Sequence, residues 1–291
     1  MIICVVGPTG VGKTRLSISL AKKFNAIIVN SDAMQVYKEL NIGTAKIKEE
    51  EKENISHYLF DICEVEDNYT VFDYQKDARK IIEENKDKNI VFVGGTGLYL
   101  KAALYDYKFT EETKEKNEYE EYTNEELYEL ANEKDINHGI HINNRKRLIR
   151  FLNKENIEIP VSKPLYEALF IGSTTDRENL YKKINDRVDK MLEDGLLDEV
   201  KSLYDRNLRC KSINTGIGYK ELYKYFDGEL SLEEAIDLIK KNSRHYAKRQ
   251  YTFFNHQLPV KYFETDYDDF SKTEENVIKF LEENVKWVVN D

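Results

Sequence analysis

Gly7-Pro8-Thr9-Gly10-Val11-Gly12-Lys13-Thr14 is the stretch on which the fold turns. The apolar run Ile2-Ile3-Cys4-Val5-Val6 precedes it, and Leu16, Leu20 and Phe24 follow at helical spacing. A strand, a glycine-rich loop and a helix in that order make a phosphate-binding loop. Gly7, Gly10 and Gly12 let the backbone turn tightly and aim N–H groups at an anion, and the helix start adds a partial positive charge. Lys13 is placed to bridge phosphate oxygens, and the Thr14 hydroxyl to ligate Mg²⁺. The pattern specifies a polyphosphate or pyrophosphate site without specifying ATP.

Outward from this loop the first hundred residues keep an α/β rhythm. Short apolar runs at Ile2–Val6, Ala26–Val29 and Ile90–Val93 predict buried strands, with helices over Thr14–Phe24 and Val71–Glu84 between them. Alternation of this kind gives a parallel sheet with right-handed crossovers and a ligand beyond the C-terminal strand ends. Three segments should meet there: the phosphate loop, Asn30-Ser31-Asp32 and Gly94-Gly95-Thr96-Gly97. The expected class is α/β, a P-loop NTPase-like parallel sheet flanked by helices, with a helical insertion domain.

The insertion is read from a shift in composition. Glu111 to Asp135 holds eleven acidic residues against three lysines, whereas His141 to Lys154 holds five basic residues and no acid. Both stretches have helical character, and residues 107–160 are read as a helical insertion within a core of 1–106 and 161–291. Beyond Pro164 a strand is expected at Ala168–Ile171. Amphipathic helices follow on either side of Gly195, with another over Leu232–Arg249. A last strand at Val260–Phe263 and a closing helix over Glu274–Val289 complete the core.

Composition removes several classes of function. A net charge of −10 over 291 residues excludes a globally basic nucleic-acid binder but leaves room for a local basic surface. The dispersed cysteines Cys4, Cys63 and Cys210 build neither a disulfide framework nor a metal site. The N-terminal strand lacks a basic leader, and no apolar run approaches the ~18 residues of a membrane span. A cytoplasmic monomer with no membrane partner is the expectation.

Chemistry points beyond a simple ATPase. Asp32 follows a strand that should neighbour the phosphate loop, where it can cap a helix, bind Mg²⁺ or act as a base. The strand Ile90-Val91-Phe92-Val93 ends in Gly94-Gly95-Thr96 rather than in the acid that an ATP hydrolase uses to hold metal. A transferase whose leaving group occupies the phosphate loop fits better.

The segments 7–14, Asn30-Ser31-Asp32-Ala33-Met34-Gln35-Val36-Tyr37, Ile42-Gly43-Thr44-Ala45-Lys46, Gly94-Gly95-Thr96-Gly97-Leu98-Tyr99, Gly218-Tyr219-Lys220-Glu221 and Ala247-Lys248-Arg249-Gln250 follow one another in the order seen in tRNA dimethylallyltransferases. Over most of residues 1–255 the chain resembles a bacterial member of that family. The resemblance implies transfer of a dimethylallyl group from dimethylallyl pyrophosphate to N6 of the adenosine 3′ of the tRNA anticodon. The tRNA anticodon stem-loop is then the partner, and pyrophosphate leaves. A weakly nucleophilic aromatic amine must shed a proton as the C–N bond forms, which suits Asp32 as general base. The resemblance further implies that Asp32, Ala33, Met34 and Gln35 contact a flipped-out adenine, with Thr96 beside the reacting amine and Arg249 near pyrophosphate or RNA backbone. Lys146, Arg147 and Arg150 match the family's tRNA-contacting run, although His141-Ile142-Asn143-Asn144 stands where the family commonly shows His-Pro and an Asp. A P-loop nucleotide or metabolite kinase would use the basic insertion as a lid, and an adenylate isopentenyltransferase would take a free nucleotide. The 30–37 segment opposes the first, and the basic run at 145–150 favours an RNA acceptor over the second.

Overall fold

The structure, a computed structural model, describes residues 1–109, 119, 121–153 and 163–284. The short apolar runs become β1 (Ile2–Val6), β2 (Ala26–Asn30), β3 (His57–Tyr58), β4 (Asn89–Val93), β5 (Ala168–Thr174) and β6 (Val260–Glu264). They form one parallel sheet in the order β3-β2-β4-β1-β5-β6. Val5 lies beside both Val93 and Ile171, and Asn30 beside Val93. The C-terminal ends of β1, β4 and β2 therefore finish together.

The helices are α1 (Lys13–Lys23), α2 (Val71–Glu84), α3 (Gly97–Leu104), α4 (Asn124–Lys134), α5 (Arg145–Leu152) and α6 (Arg177–Glu193). They continue with α7 (Leu196–Asp205), α8 (Lys211–Thr215), α9 (Tyr219–Phe226), α10 (Leu232–Gln257) and α11 (Phe270–Asn284). Side-chain alternation along the strands sorts the helices onto two faces. Ile2, Cys4, Val6, Ile27, Val29, Ile90 and Phe92 pack with Tyr74 and Ala78 of α2, Leu100 and Leu104 of α3, and Phe254 of α10. Ile3, Val5, Ile28, Val91 and Val93 face Leu16 and Leu20 of α1 and Val277 and Leu281 of α11. A separate helical core joins Leu196, Val200 and Leu203 of α7 to Leu222 of α9, Ala235 and Ile239 of α10, and Val36 and Leu40 after β2.

Residues Met1–Asp106 with Pro164–Asp291 form one compact unit and Tyr107–Lys163 a second. The return to the first unit falls three residues later than position 161, because Pro164 bridges Tyr105 and the Leu165 amide bonds to Leu104 O at 2.8 Å. The second unit has a core of its own in Leu127, Ala131, Ile140 and Leu148. Lys154 and much of the acidic stretch lie outside the described residues, as does the end of the expected closing helix, 285–289.

α2 occupies the expected span, and its Thr70–Asp73 capping box shows why it starts there. α10 runs eight residues past the expected Arg249, since nothing opposes helix until Leu258-Pro259 and Phe254 supplies one more buried turn. The closing helix begins at Phe270 rather than Glu274. The two-residue strand β3 and the helix α3, which opens in a glycine-rich stretch, were not expected from the sequence. No helix among the described residues is long and apolar enough to cross a membrane.

Candidate active site

A cavity of about 1130 Å³ opens over the clustered strand ends. After β1, the chain reaches Gly12 at φ +80°, where a Cβ would strike the Phe270 ring, so the position needs glycine. Gly12 caps α1 without a side-chain bond, and the first turn carries no acid. The leading amides of α1 are thus left for an anion. Lys13 Nζ donates to Pro8 O at 2.7 Å. Burial and the nearby Arg187 charge bring Lys13 down to about 7, with the Asp32 carboxylate acting the other way.

Arg187 reaches in from α6, and its Nη1 donates to Thr9 Oγ1 at 2.7 Å. Burial lowers its guanidinium, and Asp32 partly offsets that effect. Three charges, two positive and one negative, therefore share one cavity wall.

Asp32 is held by a stitched loop. Its backbone N–H donates to Asn30 Oδ1 at 2.8 Å, and Asn30 Nδ2 donates to Asp32 O at 3.0 Å and to Leu59 O at 2.9 Å. Asp32 Oδ1 accepts the Met34 N–H at 2.9 Å, which fixes the carboxylate's direction without capping a helix. Thr96 Oγ1 accepts the Ala33 N–H at 3.0 Å, and the Thr96 N–H donates to Ser31 O at 3.1 Å. The loops after β2 and β4 thus form one rigid lip.

Gln250 joins that lip to the phosphate loop. Its Oε1 accepts the Thr9 N–H at 3.2 Å, and its Nε2 donates to Gly95 O at 3.0 Å. A Cβ on Gly95 would collide with this amide, which explains a glycine there. One turn earlier on α10, burial first and Asp32 second push the Tyr246 hydroxyl up to about 12, while bonds with Thr96 and Gln250 act against the rise.

Of the residues expected at the site, Thr9, Gly10, Gly12, Lys13, Thr14, Asp32, Ala33, Met34, Gln35 and Arg249 line the cavity. Gly7, Pro8 and Val11 do not line it. Val11 is buried against Ile184 and Ala247, and Pro8 offers its carbonyl to Lys13. Thr96 enters through its bonds to Ala33 and Ser31. Gln35 spends its amide nitrogen on Thr44 O at 2.9 Å and Ala45 O at 3.3 Å, so it braces the 42–46 loop. Arg249 is exposed, with its guanidinium 5.8 Å from the Tyr246 ring centre. Lys146, Arg147 and Arg150 are exposed on α5 in the second unit. Arg145 instead turns inward to Tyr119 O at 2.8 Å and to Tyr122 O.

Arg187, Tyr246 and Gln250 belong to the site and were not assigned to it from sequence. Arg187 shares a helix face with Ile184 and Met191, and Gln250 sits three residues after the buried Ala247. A charge or an amide on an otherwise apolar stripe was the available signal. Among the described residues no group of three or more His, Cys, Asp or Glu gathers as a metal site.

Comparison with known proteins identifies the family. The family described as IPP transferase matches residues 35–257. The tRNA dimethylallyltransferase of Anoxybacillus flavithermus is 43% identical over 299 residues, covering 97% of this chain and 96% of the relative. The crystal structure of the Staphylococcus epidermidis tRNA delta(2)-isopentenylpyrophosphate transferase is 35% identical, with a TM-score of 0.76 over 98% of this chain and 99% of that one. A eukaryotic dimethylallyltransferase acting on tRNA superposes with a TM-score of 0.83 at 27% identity, over 97% of this chain and 78% of that one.

Proposed function

The chain belongs to the tRNA dimethylallyltransferase family, and we propose that its cavity holds dimethylallyl pyrophosphate beside the adenosine 3′ of a tRNA anticodon. The enzyme is a prenyltransferase that modifies tRNA. The allylic C–O bond breaks with its electron pair leaving on pyrophosphate, the N6–C bond forms, and the amine proton passes to Asp32. The observation that carries this reading is the shared wall: Lys13 and Arg187 stand at the phosphate loop, and Gln250 ties that loop to the Asp32–Thr96 lip.

In this reading Thr9, Gly10, Gly12 and Lys13 receive the pyrophosphate, with Gly7, Pro8 and Val11 shaping the loop around it. Arg187 adds the second positive charge, so that negative charge developing on the leaving group meets fixed donors. Ala33, Met34, Gln35 and Thr96 frame the adenosine. Drawing a base from an anticodon loop costs only a few kcal/mol, because it is already unpaired. Lys146, Arg147 and Arg150 meet the RNA backbone, and Arg249 lies near the phosphates of either substrate.

The donor set suits Mg²⁺, which takes most of its ligands from phosphate and water. Thr14 is an exposed hydroxyl on the first turn of α1 and lines the cavity. Held there by Thr14, Mg²⁺ would supply positive charge to offset that of the pyrophosphate. The same reading takes the enzyme to work as a monomer in the cytoplasm, on the tRNA it modifies.

The test is incubation with Mg²⁺, dimethylallyl pyrophosphate and unmodified tRNA, followed by digestion and mass analysis of the nucleosides. An adenosine heavier by one dimethylallyl group, mapped to the position 3′ of the anticodon, is the expected result. Modification of free adenine nucleotide in its place would overturn the assigned acceptor.

A further inference from the structure

The segment that leads from β6 into α11 lies directly against the phosphate loop. Tyr267 Oη donates to Gly10 O at 3.2 Å, and the buried Thr265 Oγ1 donates to Val11 O at 3.4 Å. The Phe270 ring fills the space that a side chain on Gly12 would need. Arg15, in the first turn of α1, lies 4.7 Å from the centre of that ring and reaches Glu274 of α11 at 3.3 Å. The segment is braced internally: Asp266 Oδ1 accepts the Asp268 and Asp269 N–H groups at 3.0 and 2.9 Å, and the Asp266 N–H donates to Thr273 Oγ1 at 2.9 Å. Burial pushes the Tyr267 hydroxyl up to about 12, so it keeps its proton and remains a donor.

A peptide group is planar and trans, so its C=O and N–H point in opposite directions. A carbonyl of Gly10 anchored on Tyr267 aims the Val11 N–H away from that segment. A carbonyl of Val11 anchored on Thr265 does the same for the Gly12 N–H. Gly10 and Gly12 stand at φ +88° and +80°, and glycine backbones left unanchored would have to be ordered by the ligand at a cost in affinity.

We propose that Tyr267 and Phe270 are positioning residues for the donor: from outside the cavity they lock the 10–12 backbone with its N–H groups turned toward the pyrophosphate. The proposal rests on the reading that the phosphate loop binds the donor's pyrophosphate. Neither side of this contact falls within residues 35–257, where the family match lies.

The experiment measures binding of inorganic pyrophosphate and of dimethylallyl pyrophosphate by calorimetry, together with steady-state kinetics, for the full-length wild type, Tyr267→Phe and Phe270→Leu. Loss of the neutral hydrogen bond to Gly10 O predicts donor and pyrophosphate affinity about three- to tenfold weaker in Tyr267→Phe, which also gives up the bond between Tyr267 and the Thr175 side chain. Donor KM should rise by the same factor, with kcat and the KM for tRNA within about twofold of wild type. Thermal unfolding of each variant reports folding separately. Unchanged donor affinity in both variants, with only a lower melting temperature or a smaller active fraction, overturns the positioning role. A wild type that binds neither probe overturns the reading of the loop itself, which keeps the two failures apart.

Discussion

In the proposed reaction Asp32 and Lys13 act by opposite means, one taking a proton and the other holding charge. Asp32→Asn keeps an acceptor for the Met34 N–H and removes only the base. Turnover should fall by about 10²- to 10⁴-fold, with tRNA affinity within about twofold. An equal loss of tRNA affinity, read by filter binding, would make the residue structural. Lys13 sits at about 7 without ligand, because burial and Arg187 oppose its charge. Pyrophosphate needs the charged form, so above pH 7 donor binding must take up a proton, and affinity should fall by up to about tenfold per pH unit. Lys13→Arg, protonated throughout, should flatten the profile between pH 7.5 and 9, and calorimetry in two buffers counts the proton directly. A flat wild-type profile would refute the depressed lysine. The places of Lys13 and Thr14 at the cavity were legible in sequence because fixed spacing around glycines defines their geometry, and that of Asp32 because it closely follows a buried strand. Arg187 and Gln250 were not, because nothing local tells a helix residue which loop it will face.

At the level of elements, α10 matters more than its place in the sequence suggests. It spans Leu232–Gln257, and its one buried amide, Gln250, bonds to the loops after both β1 and β4. Gln250→Met keeps the volume and drops both bonds, leaving the Thr9 N–H and Gly95 O unpaired. We expect about 1–3 kcal/mol of lost stability in urea unfolding. A fall in kcat and a rise in donor KM should accompany it, since leaving-group site and base lose their common register. Lost stability with unchanged kcat/KM would reduce Gln250 to packing. The sequence showed the strands and α2 well, since five-residue apolar runs and a capping box are local signals. It missed β3, because two residues cannot display an alternation, and it stopped α10 at its basic end when the true stop is the residue before Pro259. On α5, the outward Lys146, Arg147 and Arg150 flank the buried Leu148. Arg147→Ala with Arg150→Ala should lower the salt slope of tRNA binding by up to about two, leaving donor KM unchanged. An unaltered slope would remove this face from the RNA contact.

For the whole molecule, the decisive feature is that the cavity and the basic helix belong to different units. Every residue lining the cavity lies in 1–106 or 164–291, whereas α4 and α5 close on their own core of Leu127, Ala131, Ile140 and Leu148. The first unit is left and re-entered at one point: Tyr105 bridges Pro164, and the N–H groups of Leu165 and Tyr166 both donate to Leu104 O, at 2.8 and 3.3 Å. Replacing 107–163 with a short Gly-Ser linker therefore asks for no rearrangement of the sheet, and closing so short a loop costs little. The shortened protein should bind pyrophosphate and dimethylallyl pyrophosphate within about threefold of the full chain, because the phosphate loop, Arg187 and Gln250 all remain. Its tRNA affinity should fall by at least about tenfold and lose much of its salt dependence, since the protein's net charge is −10 and the crowded cations of α5 are gone. Calorimetry with pyrophosphate and filter binding with tRNA over a salt series read the two halves of the prediction independently. Undiminished tRNA binding would place RNA recognition in the α/β unit, and lost pyrophosphate binding would show that the donor site depends on the second unit.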